Sequence, residues 1–278
     1  MTTRTFFGAL CALLVVACGS GPVITGPLAT PTPPAATATT GPSPSPADTP
    51  LRVVGLGDSY MSAQNAKGES FMDLYAAALE SKIGRPVELA LVASGDMTSA
   101  KLKERLATND STRASVANAD VVVISVGGND ADPFGIYPHG TCAPMQPLPA
   151  CLEAYSPTLA GNYEAILTAI SDLRAGKPTA VRVTSMDDPF VGMPEAPSAT
   201  FARDFFAQVV EAQTQAVFAI AERHGAKRVD YLHVFSGADG LSDPAQYLAP
   251  DHSHPGELGI QVIADLLDEL GIPELGSI

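Results

Sequence analysis

Five short apolar runs rich in β-branched residues alternate with apolar stripes at helical spacing, and this alternation constrains the fold more than any other feature. The runs cover 51–57, 86–92, 120–126, 179–186 and 228–234. Between and after them, Phe71, Leu74, Tyr75, Ala78 and Leu79 form one stripe, and Tyr163, Ile166, Leu167, Ile170 and Leu173 a second. Phe201, Phe205, Val209, Ala212, Ala216 and Ile220 form a third, and Val262, Ile263, Leu266, Leu267 and Leu270 the last. Gly84, Gly176, Gly225 and Gly271 follow these stripes, where a helix stop is expected. Strands alternating with helices predict an α/β fold with a parallel sheet covered on both faces. In such sheets ligands bind beyond the carboxyl ends of the strands.

The chemically loaded segments fall at that edge. Ser59 follows the first run, Gly95 the second, Asn129 the third and Asp187-Asp188 the fourth, while Asp251 and His254 come after the fifth. Packing alone does not account for these segments converging on one edge. Ser59 at a strand-to-helix turn is placed to act as a nucleophile, with its own N–H helping to hold an oxyanion. Pro255 suits the first position of the last helix, which would set His254 against a positive dipole end and favour the neutral imidazole. Asp251, three residues earlier, is close enough to orient the ring through Nδ1. Gly95 lets a carbonyl oxygen approach its N–H without a Cβ in the way. Asn129, in Gly127-Gly128-Asn129-Asp130, offers a side-chain NH2. Each residue also has a plainer reading: Ser59 as a helix cap, Asp251 as a turn former, His254 as a surface cap, Gly-Gly-Asn-Asp as a turn. The set together is harder to dismiss.

His252-Ser253-His254 invites a metal-pair reading, but no further His or carboxylate stands at zinc spacing and such sites take three or four ligands. No metal is expected, and His252 is expected to face solvent.

The first residues lie outside the fold. An apolar run over 6–17, preceded by Arg4, is too short to cross a bilayer as a helix and reads as a secretory signal. It ends on Val15-Val16-Ala17-Cys18, which resembles a bacterial lipobox, although Leu is commoner at the place of Val15. The resemblance implies cleavage before Cys18 and its lipidation, so an extracytoplasmic, membrane-anchored or secreted protein. Residues 19–50 are dense in Pro, Thr, Ala, Ser and Gly without apolar periodicity, the composition of a tether. At about 3.1 Å per residue it would reach roughly 100 Å. The division expected is 1–17 signal peptide, 18–50 lipidated cysteine and tether, 51–278 one folded domain. The formal charge of −14 becomes −15 once residues 1–17, with Arg4 and no acid, are removed. A surface that acidic disfavours nucleic acid. Cys142 and Cys151 flank a Pro-rich loop and, in an exported chain, are expected to form a disulfide that fixes local shape.

Gly57-Asp58-Ser59, Gly95, Gly127-Gly128-Asn129-Asp130 and Asp251-x-x-His254-Pro255, in that order, resemble the four blocks of the SGNH (GDSL-type) hydrolases over about residues 52–270. The resemblance implies a three-layer α/β/α sandwich around a five-stranded parallel sheet, SGNH/flavodoxin-like. It implies Ser59 as nucleophile, His254 as general base and Asp251 as its orienting acid, with the Ser59 N–H, Gly95 N–H and Asn129 side chain as oxyanion hole. Tyr60 stands where the commoner form has Leu, and the second block lacks the Asn often found upstream of its glycine. No G-x-S-x-G occurs, which excludes the α/β-hydrolase elbow.

The expectation is a serine esterase acting on carboxylic esters, with no cofactor. Its partners are a small-molecule, lipid or glycan ester, the membrane through Cys18, and no nucleic acid, with the chain working as a monomer. Acyl transfer to, or deacetylation of, a cell-envelope glycan is the alternative, and a surface-binding lipoprotein without chemistry a weaker one. Asp187, Asp188, Pro189 and Phe190, and a rim over 133–149 with Tyr137 and His139, are expected to border the cleft.

Overall fold

A computed structural model describes residues 49–62, 68–131, 156–186, 188, 191 and 198–276, all within one compact unit, Pro44–Ile278. Cys11, Cys18, Cys142, Cys151, Asp187, Pro189, Phe190 and the 133–149 rim lie outside the described residues.

The element order is β1 (Leu51–Gly57), α1 (Phe71–Ile83), β2 (Val87–Ala93), α2 (Ser99–Thr108), α3 (Asp110–Asn118), β3 (Val121–Ser125), α4 (Gly128–Ala131) and α5 (Ser156–Arg174). There follow β4 (Ala180–Thr184), α6 (Ala199–Phe205), a π-helical segment (Phe206–Glu211), α7 (Ala212–Arg223), β5 (Lys227–Val229), α8 (Leu232–Ser236) and α9 (Glu257–Glu269). The five strands form one parallel sheet in the order β2-β1-β3-β4-β5. The chain therefore reverses its winding direction between β1 and β3, which opens a crevice at their carboxyl ends.

Period-2 alternation divides each strand between two cores. Val54 and Leu56 of β1 and Val122 and Ile124 of β3 pack with Leu102 and Leu106 of α2, Ile166 of α5 and Val217 of α7. Leu51, Val53, Val121 and Val123 pack instead with Phe71, Tyr75 and Leu79 of α1 and Ile260 and Ile263 of α9. Helices on both faces of one sheet make the α/β/α sandwich. The helix stops hold: Gly84, Gly176, Gly225 and Gly271 all have positive φ, conformations that cost glycine little.

Four local expectations change. Helices α2 and α3 were not legible as stripes; their start signals are the caps, with Thr98 Oγ1 accepting the Lys101 N–H at 3.2 Å and Asn109 Oδ1 the Thr112 N–H at 2.9 Å. The last strand stops at Val229, and residues 232–236 coil into α8, because Tyr231, Leu232 and Phe235 are buried at helical spacing and Asp230 Oδ1 accepts the His233 N–H at 3.3 Å. The third stripe is broken by the π-helical turn. Its i→i+5 bonding admits an extra residue and rotates the following face, so Ala212 and Ala216 are exposed while Gln213, Thr214, Val217 and Phe218 are buried. Finally, α9 begins at Glu257 with Gly256 as its N-cap, two residues later than Pro255. His254 therefore lies ahead of the helix, and the dipole argument for it lapses, since that effect is confined to the first turn.

Beside the second core, Arg182 on β4 is fully buried, and its guanidinium reaches Glu274 through two bonds of 3.0 Å, Nη1 to Oε1 and Nη2 to Oε2. Nη2 also donates to Gly271 O at 2.5 Å and Nη1 to Val181 O at 2.9 Å. This ties the segment after α9 to the sheet. Burial pushes the Glu274 carboxyl up, but the Arg182 hydrogen bonds and charge outweigh it and hold the group below its ordinary value.

Candidate active site

At the end of β1 the chain turns at once. The Asp58 N–H donates to Ser125 O on β3 at 3.0 Å, and the buried Asp58 carboxylate accepts the Tyr60 N–H at 3.1 Å. The Met61 and Ser62 N–H groups both return to Asp58 O at 3.2 Å. Asp58 is thus the residue that folds the turn, and Ser59, half-buried, stands at its outer bend. Helix α1 begins at Phe71, behind a capping box formed by Ser70 and Asp73. The turn can close so tightly because β1 ends in glycine. A Cβ at Gly57 would meet Ser125 O at 2.5 Å, and one at Gly55 the Met61 Sδ at 2.6 Å. The fully buried Met61 occupies the space those side chains would need.

Gly95 lies in a turn from Ser94 to Met97, closed by Met97 N–H to Ser94 O at 3.0 Å and docked on β1 by Ser94 N–H to Gly57 O at 3.2 Å. Asn129, in the short turn α4 after β3, reaches across to it. Its Nδ2 donates to Gly95 O at 3.0 Å and to Met97 O at 2.9 Å. Both partners are carbonyl oxygens, so the orientation of the amide is unambiguous. The two blocks expected to share an oxyanion are therefore adjacent, but in this conformation both amide hydrogens of Asn129 are spent on the loop. An oxyanion bound by this amide would have to displace one of them.

Asp130 was not singled out by its chemistry in the sequence. Its carboxylate accepts the Ser99 N–H at 2.7 Å and the Ser99 hydroxyl, and Ser99 Oγ accepts Asn162 Nδ2 at 2.8 Å. Burial pushes the Asp130 carboxyl up further than the Ser99 hydrogen bonds pull it down. The group pins the start of α2, and with it the Gly95 turn, to α4. The available signal was its place directly after Asn129 in a segment following a fully buried strand.

The base side of the site is a pinched hairpin over 247–256. Leu248 and Pro255 form an antiparallel bridge, Ala249 N–H donates to His254 O at 2.7 Å, and Gly256 N–H to Tyr247 O at 2.8 Å. Its tip turns through His252, which is exposed and has φ 55°, a left-handed conformation uncommon for any residue other than glycine. This turn folds Asp251 back on His254. Asp251 Oδ2 lies 2.8 Å from His254 Nδ1, and Oδ1 accepts the backbone N–H groups of Ser253 at 3.1 Å and His254 at 3.0 Å. Burial pushes the Asp251 carboxyl up, but these bonds and the His254 charge prevail and hold it below its ordinary value. The carboxylate is ionised across the neutral range.

Tyr60 joins the two sides. Its ring centroid lies 6.0 Å from that of His254, so the residue next to Ser59 is packed beside the imidazole. Ser59, Gly95 and Asn129 follow the carboxyl ends of β1, β2 and β3, around the crevice set by the winding reversal, and the Tyr60–His254 contact brings the Asp251–His254 hairpin beside the Ser59 turn. The Asp251–His254 hydrogen bond is formed; among the described residues a Ser59 hydroxyl bond to His254 is not. Catalytic hydrogen bonds often tighten only when substrate is bound. Asp188 is buried after β4.

The GDSL-like Lipase/Acylhydrolase family model matches residues 56–262. No curated protein matches the chain in sequence. Among solved structures, a lipase from a goat-rumen metagenome is 22% identical with a TM-score of 0.66, covering 80% of this chain and 98% of its own. A catalytic mutant of an acetylxylan esterase from Geobacillus stearothermophilus is 17% identical with a TM-score of 0.58, covering 83% of this chain and 99% of its own. Another acetyl xylan esterase, also 17% identical, has a TM-score of 0.55 and covers 80% of this chain and 100% of its own. At these identities the likeness is one of fold.

Proposed function

We propose, for a chain that belongs to the GDSL-like lipase/acylhydrolase family and is a carboxylic ester hydrolase of it, that the reaction runs through an acyl-enzyme on Ser59. His254 Nε2 takes the Ser59 proton as Oγ attacks the acyl carbon, and the resulting imidazolium is stabilised by Asp251 across Nδ1. The oxyanion is held by the N–H groups of Ser59 and Gly95 and by the Asn129 amide, which exchanges one loop carbonyl for the substrate oxygen. His254 then gives its proton to the leaving alkoxide. Water enters, His254 takes its proton, and the acid departs from Ser59. The observation that supports this reading above others is the 2.8 Å Asp251–His254 bond in a hairpin whose His254 ring lies beside Tyr60, the neighbour of Ser59.

The acyl acceptor and the natural ester are part of the proposal. Acetyl groups on a glycan are one candidate, since two of the solved relatives named above are acetylxylan esterases. We place the protein outside the cytoplasm, carried by a lipid on Cys18 and a tether to residue 50, with a Cys142–Cys151 disulfide. The mass of the mature amino terminus tests the anchor.

The test of the reaction is hydrolysis of p-nitrophenyl acetate and butyrate by the full chain, with Ser59→Ala beside it. Turnover by the wild type that is absent in the variant is expected; a variant that retains it refutes the acyl-enzyme. Acetate released to water from an acetylated oligosaccharide, against acyl groups gained by an added one, separates hydrolysis from transfer.

A further inference from the structure

His254 is held by more than Asp251. Four aromatic rings run behind it in series. Tyr60 stacks on Tyr231, with centroids 5.8 Å apart and planes 19° from parallel. Tyr231 meets Phe235 at 5.3 Å, and Phe235 stacks on Tyr247 at 4.6 Å and 6°. Tyr231 and Phe235 are four residues apart along α8, the spacing that puts two side chains on one helix face. Tyr60, Tyr231 and Phe235 are buried.

Both ends of this stack grip the same hairpin. At one end the Tyr60 ring lies against the His254 ring. At the other, Tyr247 is itself the first residue of the hairpin, its carbonyl accepting the Gly256 N–H at 2.8 Å. Tyr60 is also fixed to the nucleophile turn, because its N–H is bonded to the Asp58 carboxylate that shapes the bend carrying Ser59. Ser59 and His254 come from opposite ends of the folded unit, and no backbone pairing between β1 and the hairpin is present among the described residues. Side-chain packing has to set their separation.

We propose that Tyr60 is a positioning residue for the reaction, its ring and the Tyr231–Phe235–Tyr247 stack behind it setting the distance and angle of the His254 imidazole relative to Ser59. This rests on the reading of Ser59 and His254 as nucleophile and base. The device acts on geometry, so its loss lowers the rate of acylation rather than substrate affinity.

The experiment uses the full chain as wild type, Tyr60→Leu, Tyr60→Phe and Tyr231→Leu. Four quantities are read: kcat and KM for p-nitrophenyl acetate, the thermal midpoint, and the downfield proton resonance of His254 Nδ1–H, assigned by its absence in Asp251→Asn. Misplacement of a catalytic group by about 1 Å costs up to about 100-fold. Tyr60→Leu is therefore expected to lower kcat by roughly 10- to 100-fold with KM unchanged, and to broaden the resonance as the ring gains mobility. Tyr60→Phe restores both, because the ring and not the hydroxyl carries the contact. Tyr231→Leu moves both in the same direction by less. A Tyr60→Leu protein that keeps kcat and the resonance overturns the proposal, as does a Phe variant as impaired as the Leu one. If Tyr60→Leu does not fold, Tyr231→Leu decides by the same two readouts. If the wild type turns over no ester, the esterase reading fails, while the resonance still decides whether Tyr60 holds the imidazole.

Discussion

Replacing Glu274 by Gln removes the carboxylate bonded to Arg182, a side chain with no exposure to water. Breaking a buried ion pair from one side costs about 3–5 kcal/mol, because the remaining charge stays uncompensated. Here the lower end applies. The carbonyls of Val181 and Gly271 keep accepting from Nη1 and Nη2, and the Glu274 side chain is 22% exposed. About 3 kcal/mol in a domain of this size corresponds to a thermal midpoint lower by about 6–12 °C at pH 7. The pH dependence fixes the sign. The folded-state pKa of Glu274 is depressed, so its contribution is complete above the ordinary carboxylate pKa and is lost as pH falls through the lower, folded value. Wild type and Glu274→Gln should therefore converge in midpoint as the pH falls through and below the depressed folded-state value. Calorimetric melts of the full chain from neutral to acid pH measure this. Adding Arg182→Met to Glu274→Gln removes the stranded charge and should recover stability. A single variant melting within about 2 °C of wild type at pH 7, or a double variant no better than the single, refutes the claim that an unpaired guanidinium is the cause.

Asp251→Asn should lower kcat for p-nitrophenyl acetate by about 10³- to 10⁴-fold with a nearly unchanged fold, since an amide cannot stabilise the imidazolium; steady-state kinetics alongside circular dichroism check it. Gly57→Ala forces a Cβ to 2.5 Å from Ser125 O, so β1 and β3 must part where the nucleophile turn begins. It should cost about 1–3 kcal/mol, read from urea midpoints, and cut kcat with it.

What the sequence made legible, and what it hid, follows from the range of the interactions. β1 is readable to the residue because its nearly continuous apolar run and its glycines are local signals, and the helix ends at Gly84, Gly225 and Gly271 are readable for the same reason. The Asp251–His254 pair spans three residues and so announces itself. β5 and α8 were confused because 228–234 is a short apolar run, and such runs do not separate strand from helix by periodicity. The π turn at Phe206–Glu211 carries no local mark, yet it shifts every later position on that helix. Asn129 was legible as a donor, but its bonds to Gly95 and Met97 depend on how two loops meet. The stack from Tyr60 to Tyr247 joins segments far apart in the chain, and no spacing rule anticipates it.

Residues 59 and 254 stand 195 positions apart, so no local stretch of the domain contains both the hydroxyl and the imidazole. On the proposed chemistry, ester cleavage therefore reports the closure of the whole domain, and a fragment holding either segment alone would carry half of the reacting pair.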